Sequence, residues 1–166
     1  MPARTRTAKT SLAVALALLG SLGAASSASA SDATVKAAWE AHDAQFHRLA
    51  RQQAKAFAAW TNADHSSKTS KPVLRSLKAA DKLEHLVNRN VKAESPSTPT
   101  GTQAKRYVVR SNTSYSHYLT TLERAVRLAT DGKTTAANRQ LKLAGGYAKR
   151  SAQQGSAATQ LFEQLP

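Results

Sequence analysis

Residues 71–93 read KPVLRSLKAADKLEHLVNRNVKA, and this segment decides the fold class because it carries two helical patterns at once. The first pattern steps alternately by four and three residues through Val73, Leu77, Ala80, Glu84, Val87 and Val91. Positions with this spacing fall on one side of an α-helix, as in the seams of helical bundles. The segment therefore predicts an amphipathic helix over about 72–94. Ser70 is a plausible N-cap, and Pro72 is tolerated in the first turn.

The second pattern is a row of basic residues on roughly the opposite face of the same helix. It has the same spacing and runs through Lys71, Arg75, Lys78, Lys82, His85, Arg89 and Lys92. Such a row is about 30 Å long. An ordinary solvated face has this composition, and so does an electrostatic docking site for a polyanion. Asp81 and Glu84 offset part of the charge. We take the six Lys and Arg residues, called the basic row below, as candidate polyanion-binding residues.

Three other segments repeat the bundle spacing, at about 32–63, 103–131 and 135–165. Their apolar positions include the aromatic residues Trp39, Phe46, Phe57, Trp60, Tyr115, Tyr118 and Phe162. Four helices with short polar links predict an all-α fold, an antiparallel up-down-up-down four-helix bundle made of two helical hairpins. The pattern does not distinguish a filled aromatic core from a ligand pocket. It also leaves open whether Gly145-Gly146 interrupts the last helix.

The first thirty residues have the pattern of a secretory signal peptide. Three basic residues come first, an apolar run from Leu12 to Leu22 follows, and the segment ends in Ala28-Ser29-Ala30. This run is shorter than the roughly 20 apolar residues that span a bilayer. We therefore expect cleavage after Ala30, export to the periplasm or the medium, and a single domain over 31–166. No second run of spanning length follows, so no transmembrane segment is expected in the mature chain.

Composition points to an anionic partner outside the cytoplasm. The chain holds 24 Lys and Arg and 10 Asp and Glu. Removal of the leader leaves 21 basic and 10 acidic residues in 31–166, a net charge of +11. A charge of this size favours binding to anionic polymers and surfaces and says nothing about fold. The predicted basic helix has no Phe, Trp or Tyr for base stacking, so we expect no sequence-specific nucleic-acid recognition. The chain has no cysteine, so it has no disulfide.

Candidate metal ligands and catalytic residues are few. Asp43/His47 and Asp81/His85 each place a carboxylate four residues before a histidine, which brings the two side chains together on one helix face. Surface ion pairs have the same spacing, and the Glu-x-x-His motif of dinuclear iron bundles is missing. His42 lies on the apolar seam and is the best candidate for a haem or metal ligand. We assign no metal site and no cofactor. No nucleophile, phosphate-loop or metalloprotease motif occurs, so we expect no enzyme.

Three hypotheses of function follow, because the sequence resembles no family beyond the broad class of exported helical bundles. The first is a non-enzymatic binding protein that holds an anionic cell-envelope polymer or surface on the basic row. The second is a small-ligand, haem or metal carrier with a site between the helices, near His42. The third is a structural or oligomeric helical protein whose seam continues into a partner. The sequence does not indicate an oligomeric state.

Overall fold

The structure, a computed structural model, describes residues 30–165, and over these residues the chain is a helical bundle without strands. Its helices are α1 (Ala30–Glu40), α2 (Asp43–Asn62), α3 (Ser67–Ala93), α4 (Pro99–Thr130) and α5 (Thr134–Glu163). The all-α prediction is confirmed for this part of the chain. The predicted signal peptide lies outside the described residues, except for the backbone of Ala30.

The first predicted helix, 32–63, is interrupted at Ala41-His42 and forms α1 and α2. His42 leaves the helical conformation, with φ −119° and ψ 13°, and Asp43 occupies the first turn of the new helix. A carboxylate is favourable in that turn because the helix dipole is positive there. The apolar periodicity runs across the break, so spacing alone did not reveal it.

Two other predicted starts also lie too late in the sequence. Helix α3 begins at Ser67, and its N-cap is Ser66, whose hydroxyl accepts a hydrogen bond from the Thr69 N–H at 3.3 Å. Pro72 therefore lies inside the helix rather than in its first turn. Helix α4 begins at Pro99, four residues before the predicted 103, because Thr98 caps it and accepts from the Gly101 N–H at 2.9 Å. Serine and threonine are preferred caps for this reason.

The last helix is continuous from Thr134 to Glu163, so Gly145-Gly146 does not break it. Both glycines are exposed, and nothing lies within 4 Å of a Cβ built on either one. The preceding turn ends at Gly132, whose φ of 75° is easily adopted only by glycine. The helix predicted over about 103–131 thus ends within one residue of its predicted end.

The buried side chains form two apolar clusters, one toward each end of the bundle. The first cluster contains Phe57, Trp60, Val73, Leu77, Ala80, Leu119, Leu122, Val126 and Ala144. The second contains Val35, Val87, Val91, Ala104, Val108, Ala158, Phe162 and Leu165. Along α3, α4 and α5, buried polar residues lie between the positions that belong to the first cluster and those that belong to the second. They include Glu84, Ser111, Asn112, Ser114 and Ser151.

Polar contacts also fix how neighbouring helices are aligned. Between α3 and α4, the Ser116 hydroxyl donates to Asp81 Oδ1 at 2.5 Å, and Lys105 Nζ donates to the Lys92 carbonyl at 2.8 Å. In these two contacts, the higher residue number on α3 is paired with the lower residue number on α4. Between α4 and α5, Ser111 Oγ donates to the Ser151 carbonyl at 2.9 Å, while the rings of His117 and Tyr147 lie 5.3 Å apart.

Few large apolar side chains of the described residues face outward. Leu143, at 54% exposure, is the one exposed large hydrophobic side chain in the described part of the chain. Among the helices of residues 30–165, none is both long enough and apolar enough to cross a bilayer.

A buried aspartate joins the first helix to the α3–α4 connection. Asp32 is fully buried, and its carboxylate accepts from the Ser97 N–H at 2.8 Å and the Thr98 hydroxyl at 2.6 Å. Gly101 lies directly against this carboxylate, so that a Cβ at position 101 would clash with it. The start of the described chain is thereby fixed to its middle.

Candidate functional site

The basic row lies along the outer face of α3, and all six of its side chains are exposed. Its members are Lys71, Arg75, Lys78, Lys82, Arg89 and Lys92. On the neighbouring helix α2, Arg48, Arg51 and Lys55 are exposed as well. The face opposite the row packs Val73, Leu77 and other apolar residues into the core, so burial of that face holds the row toward solvent.

Little of this positive charge is neutralised by neighbouring carboxylates. Within residues 31–165, the one row member in an ion pair is Lys78, whose Nζ lies 4.0 Å from Glu123 Oε1. Glu123 is held more closely by Arg127, whose Nη2 is 2.7 Å away. Exposed pairs of this kind contribute little energy. The row thus keeps nearly all of its positive charge available to a partner.

The prediction that two acids partly neutralise this row needs correction. Asp81 does contact its neighbour His85, with 3.6 Å between Oδ1 and Nδ1, and it also accepts the hydrogen bond from Ser116. Glu84, however, is only 5% exposed and points into the bundle. Position 84 belongs to the apolar row of α3, and that row faces the core.

The three histidines named as candidate ligands lie in different surroundings. His42 is the half-buried residue that precedes α2, His47 is exposed on that helix, and His85 is exposed beside Asp81. No group of three or more His, Asp or Glu side chains in residues 31–165 is arranged to hold a metal ion. The Asp81/His85 spacing forms a local surface pair.

A cavity of about 560 Å³ lies between the helices, where the buried polar residues interrupt the core. Four aromatic residues line it: Trp39 of α1, Phe46 of α2, and Tyr115 and Tyr118 of α4. The Phe46 and Tyr115 rings meet edge to face at 6.3 Å, and the two tyrosine rings lie 5.5 Å apart. Four of the seven predicted seam aromatics thus line a cavity, whereas Phe57, Trp60 and Phe162 are core residues.

Small residues on α5 form the opposite wall and leave the space open. They are Ala148, Ser151, Ala152, Gly155 and Ser156. A Cβ at Gly155 would lie 3.3 Å from Ser111 Oγ and 3.9 Å from the Trp39 ring, so this glycine sits against both neighbours. Reciprocal hydrogen bonds between Ser111 and Ser151 hold the two helices together beside the cavity, at 2.9 and 3.0 Å.

Glu84 is a strongly perturbed titratable group in this cavity. With the Asn112 side-chain amide oriented so that its nitrogen faces the two neighbouring acceptors, Nδ2 donates to Glu84 Oε1 at 3.0 Å and to the Val108 carbonyl at 3.2 Å. Burial raises the pKa of Glu84 from 4.5 to about 8, and the nearby Asp81 carboxylate adds to the rise. A carboxyl group with this pKa is largely protonated at pH 7.

The neighbouring cavity groups are perturbed in the same direction. Burial raises the pKa of Tyr118 to about 12, and it raises the pKa of Tyr115 further, with Tyr118 and Glu84 adding to that second rise. Burial also raises the pKa of Asp43, and the Glu40 carboxylate contributes, whereas His47 and Lys36 act against the rise. Negative charge is therefore disfavoured around the cavity.

The sequence prediction named this region only in part. It proposed an interhelical site near His42, but His42 does not line the cavity, whereas His47, one turn further along, does. It did not single out Glu84, although an acid at an apolar-row position was the available signal. The small residues on α5 were a second signal, because they indicated space for neighbouring aromatics.

Comparison with known proteins adds no relative. The chain matches no protein-family model, and no curated protein or solved structure is significantly similar to it.

Proposed function

We propose that this chain is an exported, non-enzymatic binding protein that holds an anionic cell-envelope polymer or surface along the basic row. The observation that supports the proposal is the row itself, six exposed cations with one distant ion pair among the described residues. The net charge of +11 for residues 31–166 attracts the same class of partner over longer distances.

The expected interaction is electrostatic and spaced along a line. The helix repeat places successive row members about 4.5–6 Å apart along the axis, except for a gap of about 10.5 Å between Lys82 and Arg89, so an extended polyanion can contact several of them. Each contact releases counterions, and for about six contacts on a polyanion such as DNA the affinity falls roughly 10³-fold between 50 and 200 mM salt. Binding should therefore depend steeply on salt and little on the sequence or fine structure of the polymer.

The test is elution from an immobilised polyanion, such as isolated cell wall, over a salt gradient. One variant changes the six row residues to Gln. The matched control changes six other exposed cations to Gln, namely Arg106, Arg110, Arg124, Arg139, Lys142 and Lys149. Both variants lose six positive charges. We expect the row variant to elute at clearly lower salt than the control, and equal elution of the two would refute the row as the binding site.

The export step of the proposal depends on the predicted leader. Its cationic start, short apolar run and Ala-Ser-Ala end support cleavage after Ala30. The mass of the protein recovered from the envelope or medium of its own host tests this. A mass equal to residues 31–166 is expected, and a full-length cell-bound product would contradict it.

For the fold we infer the antiparallel up-down-up-down arrangement of two hairpins. Its support is the opposed numbering of the contacts between α3 and α4 and between α4 and α5, together with the short links between helices. A disulfide between Ser111→Cys and Ser151→Cys provides the test, because the chain has no cysteine of its own. The hydroxyls are 3.2 Å apart, so oxidation should join them readily in the folded protein. Oxidation only after unfolding would contradict the pairing of α4 with α5, the second hairpin of this arrangement.

A further inference from the structure

The cavity lining differs in charge from the rest of this basic protein. Three acidic residues, Asp43, Glu84 and Glu163, are among the lining residues, whereas none of the 21 Lys and Arg residues of 31–166 is. His47 is the one residue of the lining whose side chain can carry a positive charge. The basic side chains lie on the outside of the bundle, and the cavity keeps a separate, acidic character.

Glu84 gives this cavity a specific polar anchor. The residue is 5% exposed, and its Oε1 accepts the Asn112 hydrogen bond, but no group in residues 31–165 donates to Oε2. A buried carboxyl with an unused oxygen has a free position for one further donor. The four aromatic rings of Trp39, Phe46, Tyr115 and Tyr118 line the same space.

We propose that this cavity binds a primary ammonium group carried on an apolar body, with Glu84 as its counter-ion. An ammonium group offers both the donor and the positive charge that a buried carboxylate requires. Tyrosine and tryptophan faces attract cations, and the aromatic rings also accommodate the apolar body. A volume of about 560 Å³ lies within the range of small-molecule sites.

The ionisable groups near Glu84 and in the cavity lining explain why a cation is preferred to an anion. Asp81, whose carboxylate acts on Glu84, and the lining residues Asp43 and Glu163 are all acidic, and Tyr115 and Tyr118 are neutral at physiological pH. Among the lining residues, only His47 can add positive charge. Burial favours the neutral form of Glu84. Arrival of an ammonium group favours the ionised carboxylate, so binding below pH 8 should release a proton.

Three probes with one body and different charge test the preference: 2-phenylethylamine, 2-phenylethanol and phenylacetate. Isothermal titration at pH 8 should show the amine binding at least tenfold more tightly than the alcohol, and phenylacetate not binding. The net charge of the whole protein predicts the reverse order. Equal affinity for amine and alcohol, or tighter binding of phenylacetate, would refute the proposal.

Glu84→Gln is the decisive variant because it removes the charge and keeps the shape. We expect it to weaken amine binding at least tenfold and to leave alcohol binding unchanged. Asp131→Asn has the same charge change at an exposed position outside the cavity and should bind the amine like the wild type. Unchanged amine binding by Glu84→Gln would show that Glu84 is not the counter-ion.

Two further measurements separate binding in the cavity from binding at the protein surface. Titrations at pH 7 in buffers of different ionisation enthalpy should show close to one proton released per bound amine in the wild type and none in Glu84→Gln. Ala152→Leu places a larger side chain in the cavity wall and should abolish amine binding while circular dichroism shows an intact helical fold. Full binding by a folded Ala152→Leu would place the ligand outside the cavity. The six-Gln row variant should still bind the amine, so this inference and the polyanion proposal can fail independently.

Discussion

Replacement of Glu84 by Gln should remove a large part of the pH dependence of folding. Glu84 has a pKa of about 8 in the folded protein and 4.5 as its ordinary value. Below pH 4.5 the carboxyl is protonated in both the folded and the unfolded chain, so it does not change the free energy of unfolding. As the pH rises from 4.5 to 8, the unfolded chain loses this proton first. The free energy of unfolding therefore falls through this window and becomes constant with respect to Glu84 above it.

The pKa difference sets the magnitude of the effect. At 1.36 kcal/mol per pH unit, a rise from 4.5 to about 8 corresponds to roughly 5 kcal/mol. Entry of water or movement of the cavity wall on ionisation reduces this value, so roughly 5 kcal/mol is an upper limit. Even half of it is a large fraction of the 5–15 kcal/mol stability that is typical of proteins.

Urea unfolding at intervals from pH 4 to pH 9 measures the effect. When the free energy of unfolding of Glu84→Gln is subtracted from that of the wild type, the contributions of groups that titrate alike in both proteins cancel. We expect the variant to gain stability relative to wild type as the pH rises, by at least 2 kcal/mol by pH 9. Asp131→Asn, an exposed control, should follow the wild-type slope. A wild-type minus Glu84→Gln difference that stays flat across the range would refute the assignment of a buried, protonated Glu84.

Three substitutions test the packing of the bundle. Asp32→Ala removes the buried carboxylate that accepts from the Ser97 N–H and the Thr98 hydroxyl, and it should lower the free energy of unfolding by about 2–4 kcal/mol in urea titrations; a loss below about 0.5 kcal/mol would show that the carboxylate does not fix α1. Gly101→Ala introduces a Cβ that clashes with Asp32 and should cost about 1–3 kcal/mol, read out as a lower melting temperature. Gly145→Ala is its matched control in open space on a continuous helix, and it should raise stability by about 0.5–1 kcal/mol; equal effects of these two glycine replacements would contradict the packing at Asp32.

Helix content and the inward faces could be predicted because both depend on local periodicity. Val73, Leu77 and Val87, which defined the apolar row of α3, are all buried to 1% exposure or less. The basic row is exposed because it lies opposite them. Helix ends were predicted less well. They depend on which of several nearby Ser, Thr and Pro residues becomes the cap, and the choice of Ser66 and Thr98 is made by the packing of the connections.

The cavity could not be predicted from spacing. Its volume is the space between the helices that the side chains of several helices leave unfilled. The sequence shows small residues at 148, 151, 152 and 155 and aromatic residues at 115 and 118. Whether these residues interdigitate or leave a gap depends on helix separation, which periodicity does not determine. The hydrogen bonds between Ser111 and Ser151 contribute to that separation. Glu84 was visible as an acid in an apolar row, but its burial required the neighbouring helices.

The two apolar clusters have a consequence for the connectivity of the bundle. Val35, near the start of the described chain, and Leu165, at its end, are buried in the same cluster at 0% and 4% exposure. The two ends of the predicted mature chain, residues 31–166, therefore lie toward the same end of the bundle, and neighbouring ends can often be covalently joined. A short flexible linker between them, with a new opening at the exposed turn around Gly132, would make a circular permutant that retains every helix. The order in which the helices are synthesised is then separable from the structure that they form.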